Sequence, residues 1–192
     1  MGNFIARLFR RIFPDRSAEI LIIGLDSSGK STLVRYLSNE AYGGQMTEDT
    51  TAPMPTIGYS HRSISLGEEY GGLNINTWDI GGQTRLRSLW RHYYSSCDAI
   101  IYVIDSSDVA RFDIAKKELF KMLNDPDLND CPLLVLANKV DRSDSVSVNE
   151  VHDALDLTEV SLSYHIEATS AVEGTGVMEA FKWMADQLQS RN

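Results

Sequence analysis

The amino-acid sequence predicts an α/β fold: a doubly wound, mainly parallel, six-stranded sheet with one antiparallel hairpin strand. Two observations carry this prediction. Short runs of β-branched and other apolar residues alternate with stretches of helical periodicity, which is the pattern of parallel strands joined by crossover helices. One consecutive pair of strand-like runs is instead separated by a short glycine-rich turn, which predicts a hairpin. In such sheets, ligands bind beyond the carboxyl ends of the strands.

The apolar runs predict the strands, and the stretches of helical periodicity predict the helices. The runs at 99–105 and 133–137 are apolar on both faces, so they are predicted to be buried strands. The predicted strands cover residues 20–23, 59–66, 73–80, 99–105, 133–137 and 164–169. The predicted helices cover residues 32–37, 85–94, 109–123, 148–155 and 177–188.

The composition indicates one globular domain with a basic appendage. The chain has 192 residues, of which 43% are hydrophobic and 23% charged, as is ordinary for a folded domain. The net charge of −9 argues against general nucleic-acid binding, and two cysteines fit a reducing compartment. Residues 1–16 nevertheless contain four arginines and one aspartate. We therefore divide the chain into this basic segment and a body of residues 17–192.

The first sixteen residues have the pattern of an amphipathic helix. Apolar residues at positions 4, 5, 8, 9, 12 and 13 form one stripe, the arginines occupy the remaining arc, and Pro14 ends the pattern. Such a helix suits either a membrane interface or docking onto the body, and the two states can alternate. Gly2 is a candidate site for myristoylation, although Ala6 stands where the usual pattern has Ser or Thr.

A phosphate-binding loop is predicted after the first strand. Residues 24–32 read GLDSSGKST and lie between a predicted strand and a predicted helix, which is the context that such a loop requires. Gly24 and Gly29 let backbone N–H groups approach an anion, Lys30 adds positive charge, and Ser31 offers a hydroxyl to Mg²⁺. A chance match in a strand-to-helix turn is the alternative interpretation. The candidate nucleotide-binding residues here are Gly24, Asp26, Ser27, Ser28, Gly29, Lys30, Ser31 and Thr32.

A second motif ends the third predicted strand, where residues 78–83 read WDIGGQ. Asp79 is expected to hold Mg²⁺ through water, Gly82 to donate its N–H to a terminal phosphate, and Gln83 to orient an attacking water. The D-x-x-G pattern is a weak signal alone. Downstream of a phosphate-binding loop it is a strong one.

Two further segments predict a site for a guanine base. In the tetrapeptide NKVD at 138–141, the Asp141 carboxylate can accept hydrogen bonds from both N1–H and the exocyclic amine of guanine. Adenine lacks this donor pair, so an ATP-using enzyme is a poor alternative. After the sixth predicted strand, backbone N–H groups at Ser170 and Ala171 are placed to reach the guanine O6.

Together these motifs resemble the ADP-ribosylation factor (Arf) and Arf-like family of the Ras-superfamily small GTPases. The resemblance covers nearly the whole chain. The segments that carry it most specifically are residues 1–3, 24–26, 55–58, 78–83 and 87–94.

The resemblance implies that residues 17–192 form a GTPase domain with GTP or GDP and Mg²⁺ as its ligands. Lys30 would bind the β- and γ-phosphates, while Ser31 and Thr56 would coordinate Mg²⁺ in the GTP state. Gln83 would be the catalytic residue that positions the hydrolytic water. The residues that would hold the base are Asn138, Lys139, Asp141 and Ala171.

The resemblance also implies a regulated membrane cycle. Family members use a guanine-nucleotide exchange factor, a GTPase-activating protein and effectors that read an aromatic trio matching Tyr59, Trp78 and Tyr93. In the family the hairpin slides on GTP binding and expels the N-terminal helix, and the residue matching Gly2 is myristoylated. We therefore expect a monomer that cycles between the cytoplasm and the cytosolic face of intracellular membranes, Golgi membranes above all, in vesicle-mediated transport.

Four features depart from the family pattern, one of which is an extended hairpin turn around residues 71 and 72. Val140 replaces the glutamine usual in this family, and the loop before residue 55 is longer than usual by about eight residues. Asp26 stands where Ras has glycine, which predicts slow intrinsic hydrolysis. The long loop and Asp26 motivate an alternative from another functional class, a nucleotide-loaded interaction scaffold with negligible GTP turnover.

Overall fold

The structure, a computed structural model, describes residues 18–41, 59–65 and 74–190. The expected N-terminal helix with Gly2, and Thr56, lie outside the described residues. The described ranges form a six-stranded sheet with helices packed against both of its faces.

The sheet follows the predicted topology. Its strands are β1 (Ala18–Ile23), β2 (Tyr59–Ser65), β3 (Asn74–Ile80), β4 (Ala99–Asp105), β5 (Leu133–Asn138) and β6 (Tyr164–Thr169). Their order across the sheet is β2-β3-β1-β4-β5-β6. All neighbouring pairs are parallel except β2 and β3, which form the antiparallel hairpin. The predicted fold class is therefore confirmed.

The predicted helices are present with small differences. The α-helices are α1 (Lys30–Ala41), α2 (Phe112–Leu123), α3 (Val148–Ala154) and α4 (Val177–Ser190). The stretch predicted at 85–94 forms a 3₁₀ helix, Thr84–Ser96, called here the long 3₁₀ helix. Apolar spacings of three and four residues fit either helical period over so short a stretch. Among the described helices, none is long and apolar enough to cross a membrane.

Alternate residues of β1 serve the two faces of the sheet. Ile20 and Ile22 are buried with residues of α1 and α4, whereas Leu21 and Ile23 are buried with α2, α3 and the long 3₁₀ helix. The sheet is thus covered on both sides, as a parallel sheet requires. Because parallel strands end at the same edge, this packing brings together the loops that follow β1, β3, β4, β5 and β6.

Candidate functional site

The loop after β1 has the geometry of an anion cradle. It turns from β1 into α1, and Gly29 has φ +101°, a conformation that favours glycine. A Cβ on Gly29 would overlap the amide nitrogen of Asn138, well inside the 3.0 Å that real Cβ contacts respect. Gly29 is therefore required both by its own backbone and by the neighbouring strand.

Lys30 is folded back onto this loop. Its side chain is buried, and Nζ donates to the carbonyl oxygens of Gly24 (3.1 Å) and Leu25 (2.8 Å). A buried ammonium group is stable only where oxygen atoms accept hydrogen bonds from it. The loop carbonyls therefore hold a fixed positive charge at the start of α1, where the helix terminus already favours an anion.

The buried amide of Asn138 joins the phosphate-binding loop to the loop after β6. Asn138 is 2% exposed, and its Nδ2 donates to the carbonyl oxygen of Ser28 at 2.8 Å. Its Oδ1 accepts from the N–H of Ala171 at 3.0 Å and lies 3.4 Å from the hydroxyl of Thr169. Sequence reasoning assigned Asn138 and Ala171 to the base, and the structure adds that Asn138 fixes the spacing between the two loops.

Lys139 lies against a residue that sequence reasoning did not select. Its backbone has φ +71°, and Nζ lies 2.6 Å from Oδ2 of Asp105, the last residue of β4. Asp105 Oδ1 also accepts from the N–H and the hydroxyl of Ser107. Burial alone would raise the pKa of Asp105, but the hydrogen bonds from Lys139 and Ser107 outweigh it and hold that pKa below its usual value.

This lowered pKa predicts a pH-dependent contribution to folding. The unfolded carboxyl group titrates near 3.8, so the stabilisation is complete above that pH and disappears as the pH falls through the lower folded pKa. We expect Asp105→Asn to reduce the free energy of unfolding by about 1–2 kcal/mol at pH 7. Urea unfolding at pH 7, 5 and 3 would show the difference shrinking at pH 3. An undiminished difference at pH 3 would contradict the assignment.

A hydrogen bond from Ser170 orients the side chain of Asp141. The Asp141 carboxylate is exposed, whereas Ser170 is buried and its hydroxyl donates to Asp141 Oδ1 at 2.6 Å. Ser170 Oγ in turn accepts from the N–H of Glu173 at 3.2 Å. The carboxylate therefore has a fixed orientation at the open edge of the sheet, close to the loop that carries Ala171.

The segment after β3 packs directly on the phosphate-binding loop. A Cβ on Gly82 would overlap the backbone of residues 24–26, so only glycine allows this approach. The next residue, Gln83, immediately precedes the long 3₁₀ helix and is half-buried. Asp79 lies in β3 opposite Ile22, next to the end of β1. The structure thus brings the two phosphate motifs together.

Two residues of the predicted aromatic trio are in contact. The rings of Trp78 and Tyr93 have centroids 4.7 Å apart, and Glu19 accepts from Trp78 Nε1 at 3.1 Å. The ring of the exposed His61 lies against Trp78, with the ring centroids 4.2 Å apart and the planes tilted by 40°, a contact that the sequence alone does not indicate. Tyr59 lies at the start of β2, paired with Ile80.

Comparison with known proteins identifies the family. The sequence model of the ADP-ribosylation factor family matches residues 4–188. The chain belongs to the ADP-ribosylation factor family. A solved Arf-like structure, the Arl6 BBS3 small GTPase from Trypanosoma brucei with bound nucleotide analogue GppNp, is similar at 28% sequence identity with a TM-score of 0.80. The match covers 92% of this chain and 100% of that chain.

Membership of the Arf family makes this chain a small GTPase that binds GTP and GDP. The anion cradle, the Asn138 link and the oriented Asp141 carboxylate lie at the edge of the sheet where such a nucleotide is expected. The family and the fold class predicted from the sequence are both confirmed.

Proposed function

We propose that this Arf-family chain is a GTP/GDP switch that recruits effector proteins to intracellular membranes. In this proposal an exchange factor loads GTP, an activating protein stimulates its hydrolysis, and the cycle serves vesicle-mediated transport, with Golgi membranes as the expected location. The observation that carries the proposal is the Asn138 amide, which joins the phosphate-binding loop to the loop after β6, the segment that the sequence assigns to the base.

The residues of the site fit a guanine nucleotide. The absence of a Cβ at Gly29 lets the Asn138 amide pack against the phosphate-binding loop, and the Lys30 ammonium is held on that loop, where it can neutralise phosphate oxygens. The Asp141 carboxylate, oriented by Ser170, accepts from the two donors that guanine presents. ATP would leave this carboxylate without those donors, which disfavours it.

The same residues also fit Mg²⁺ by their donor chemistry. Ser31 follows Lys30 on the first turn of α1, and Asp79 is a residue of β3, the strand that pairs with β1, so each of the two phosphate motifs includes a residue type suited to a hard cation. Ser31 and Thr56 would bind the ion directly and Asp79 through water. When bound, Mg²⁺ neutralises charge on the phosphate oxygens. Gln83 would orient the attacking water, with the Gly82 N–H donating to the terminal phosphate.

The membrane part of the proposal depends on residues 1–16. A myristoyl chain on Gly2 binds membranes only marginally, so the amphipathic helix supplies the second signal that stable binding requires. GTP would favour one arrangement of residues 45–83 through contacts with Thr56 and Gly82 and would release the helix. The aromatic surface of Trp78 and Tyr93 would then be available to effectors.

A liposome-flotation assay tests the coupling of nucleotide to membrane binding. Myristoylated protein loaded with a non-hydrolysable GTP analogue should float with vesicles, whereas GDP-loaded protein should remain in the soluble fraction. Gly2→Ala is the matched control, because it removes the acylation site and should abolish flotation in both states. Equal recovery of the wild type with both nucleotides would refute the switch.

The alternative is a nucleotide-loaded scaffold that scarcely hydrolyses GTP. It is favoured by Asp26, a carboxylate in the phosphate-binding loop that is held by Arg111 at 3.2 Å. Single-turnover hydrolysis with and without an activating protein separates the two functions: for a GTPase switch, the activating protein should speed the reaction, and Gln83→Leu should slow that stimulated reaction by about 10-fold or more. For a scaffold, wild type and Gln83→Leu should show the same negligible rate.

A further inference from the structure

Arg87 connects three parts of the nucleotide-binding edge. Its side chain lies on the long 3₁₀ helix and is only 8% exposed. Its Nε donates to the carbonyl oxygen of Gly82 at 2.9 Å. Its Nη1 lies 3.2 Å from Glu118 Oε1 on α2, and its Nη2 lies 3.8 Å from Asp26 Oδ1 in the phosphate-binding loop.

The arrangement uses the fixed fork of the guanidinium group. A lysine ammonium group also has three N–H donors, but all three are on one nitrogen, whereas the guanidinium group presents donors from three nitrogens in a fixed plane. Arg111 is a second cation at the same carboxylate: its Nη1 lies 3.2 Å from Asp26 Oδ2, and its Nε lies 2.5 Å from Asp108. Two arginines therefore balance the charge that Asp26 brings to the phosphate-binding loop.

The anchor on α2 is part of the folded core. Glu118 is 17% exposed, and its neighbours Ala115, Leu119 and Met122 are buried under the sheet. Because α2 is fixed by this packing, the Arg87–Glu118 pair ties the beginning of the long 3₁₀ helix to a rigid element. The Gly82 carbonyl that Arg87 holds belongs to the peptide bond between Gly82 and Gln83. Fixing that oxygen fixes the plane of the peptide from which Gln83 projects.

We propose that Arg87 is a positioning residue for GTP hydrolysis, which holds the Gly82–Gln83 peptide against the phosphate-binding loop through Gly82, Glu118 and Asp26. This inference rests on the proposed function, in which Gln83 orients the attacking water. Its consequence is that Arg87 sets the rate of the chemical step much more than the affinity for nucleotide, because Lys30, Asn138 and Asp141 make the binding contacts.

The test compares single-turnover GTP hydrolysis with GDP affinity for Arg87→Ala, Arg87→Lys and Glu118→Gln. We expect Arg87→Ala to reduce the hydrolysis rate constant by about 10-fold to 100-fold while the dissociation constant for GDP changes less than about threefold. Arg87→Lys should keep only part of the rate, because it retains charge without the fork. Glu118→Gln, which keeps an acceptor oxygen, should lose about threefold.

Arg91→Ala is the matched control, since Arg91 is an exposed arginine on the same helix, four residues further along. Its rate should equal that of the wild type. Thermal unfolding of each GDP-loaded variant shows whether it is folded. If Arg87→Ala does not fold, the hydrolysis rate of Arg87→Lys tests the inference instead. Arg87 variants with an unchanged rate, or with a rate that falls only as far as nucleotide affinity, would overturn the inference.

The outcomes also separate this inference from the proposed function. If Gln83→Leu slows hydrolysis and the Arg87 variants do not, only the positioning role of Arg87 fails. If wild type and Gln83→Leu hydrolyse GTP equally slowly even with an activating protein present, the proposed switch itself fails.

Discussion

Replacing Asp141 with asparagine is expected to weaken GDP binding by about 100-fold or more and to create affinity for xanthosine diphosphate. In the proposed site the carboxylate would accept two hydrogen bonds from guanine, whereas the amide of asparagine would turn a donor towards the exocyclic amine of the base. Xanthine carries a carbonyl oxygen in place of that amine, so the same amide would bind it. Titration of fluorescent GDP and xanthosine diphosphate measures both changes.

The neighbouring Asp144 provides the control for this experiment. It lies three residues further on, and its exposed carboxylate is paired with Arg142 at 2.9 Å. Asp144→Asn should therefore leave both affinities unchanged. Ser170→Ala should weaken GDP binding by about threefold to tenfold, because it removes the 2.6 Å hydrogen bond that orients Asp141. Unaltered GDP affinity in Asp141→Asn would show that this carboxylate does not read the base.

Asn138→Ala is expected to lower both stability and nucleotide affinity. The substitution leaves the buried Ser28 carbonyl and Ala171 N–H without the partner that now satisfies them. Each unsatisfied group costs about 1–3 kcal/mol, so for the two groups the free energy of unfolding should fall by about 2–6 kcal/mol. The two loops would also lose their fixed spacing, and GDP affinity should fall by about 10-fold or more.

Two further variants identify the cause of this effect. Asn138→Asp keeps the acceptor for Ala171 but loses the donor to Ser28, so it should also be impaired. Ser28→Ala removes a hydroxyl that is buried and has no hydrogen-bond partner among the described residues, so it should leave the free energy of unfolding of the nucleotide-free protein unchanged. Urea unfolding at zero and saturating GDP separates intrinsic stability from the stabilisation that bound nucleotide adds. Equal GDP affinity in Asn138→Ala and wild type would contradict the proposed link.

Several functional contacts could not be predicted, because their partners are distant along the chain. In the sequence, Asp105 is only the last residue of a strand and Arg87 is one arginine among several in a helical stretch. Asp105 gains its role from Lys139, which the pairing of β4 with β5 places alongside. Arg87 gains its role from Glu118, 31 residues away. Local sequence periodicity cannot predict contacts between residues that are so far apart along the chain.

Local residue order was sufficient for the strands, the hairpin and the motifs of a guanine-nucleotide site, because strand periodicity, turns and glycine conformations depend on neighbouring residues. The long-range partners of these motifs were settled by the register of the sheet and the packing of helices on it. Asn138 reaches Ser28 across 110 positions because β4 alone separates β5 from β1. Arg87 reaches Asp26 because Gly82, which has no Cβ, lets the segment after β3 pack against the backbone of the phosphate-binding loop. Chain folding brings these groups together, and their hydrogen bonds then hold the phosphate-binding and base-reading loops in place.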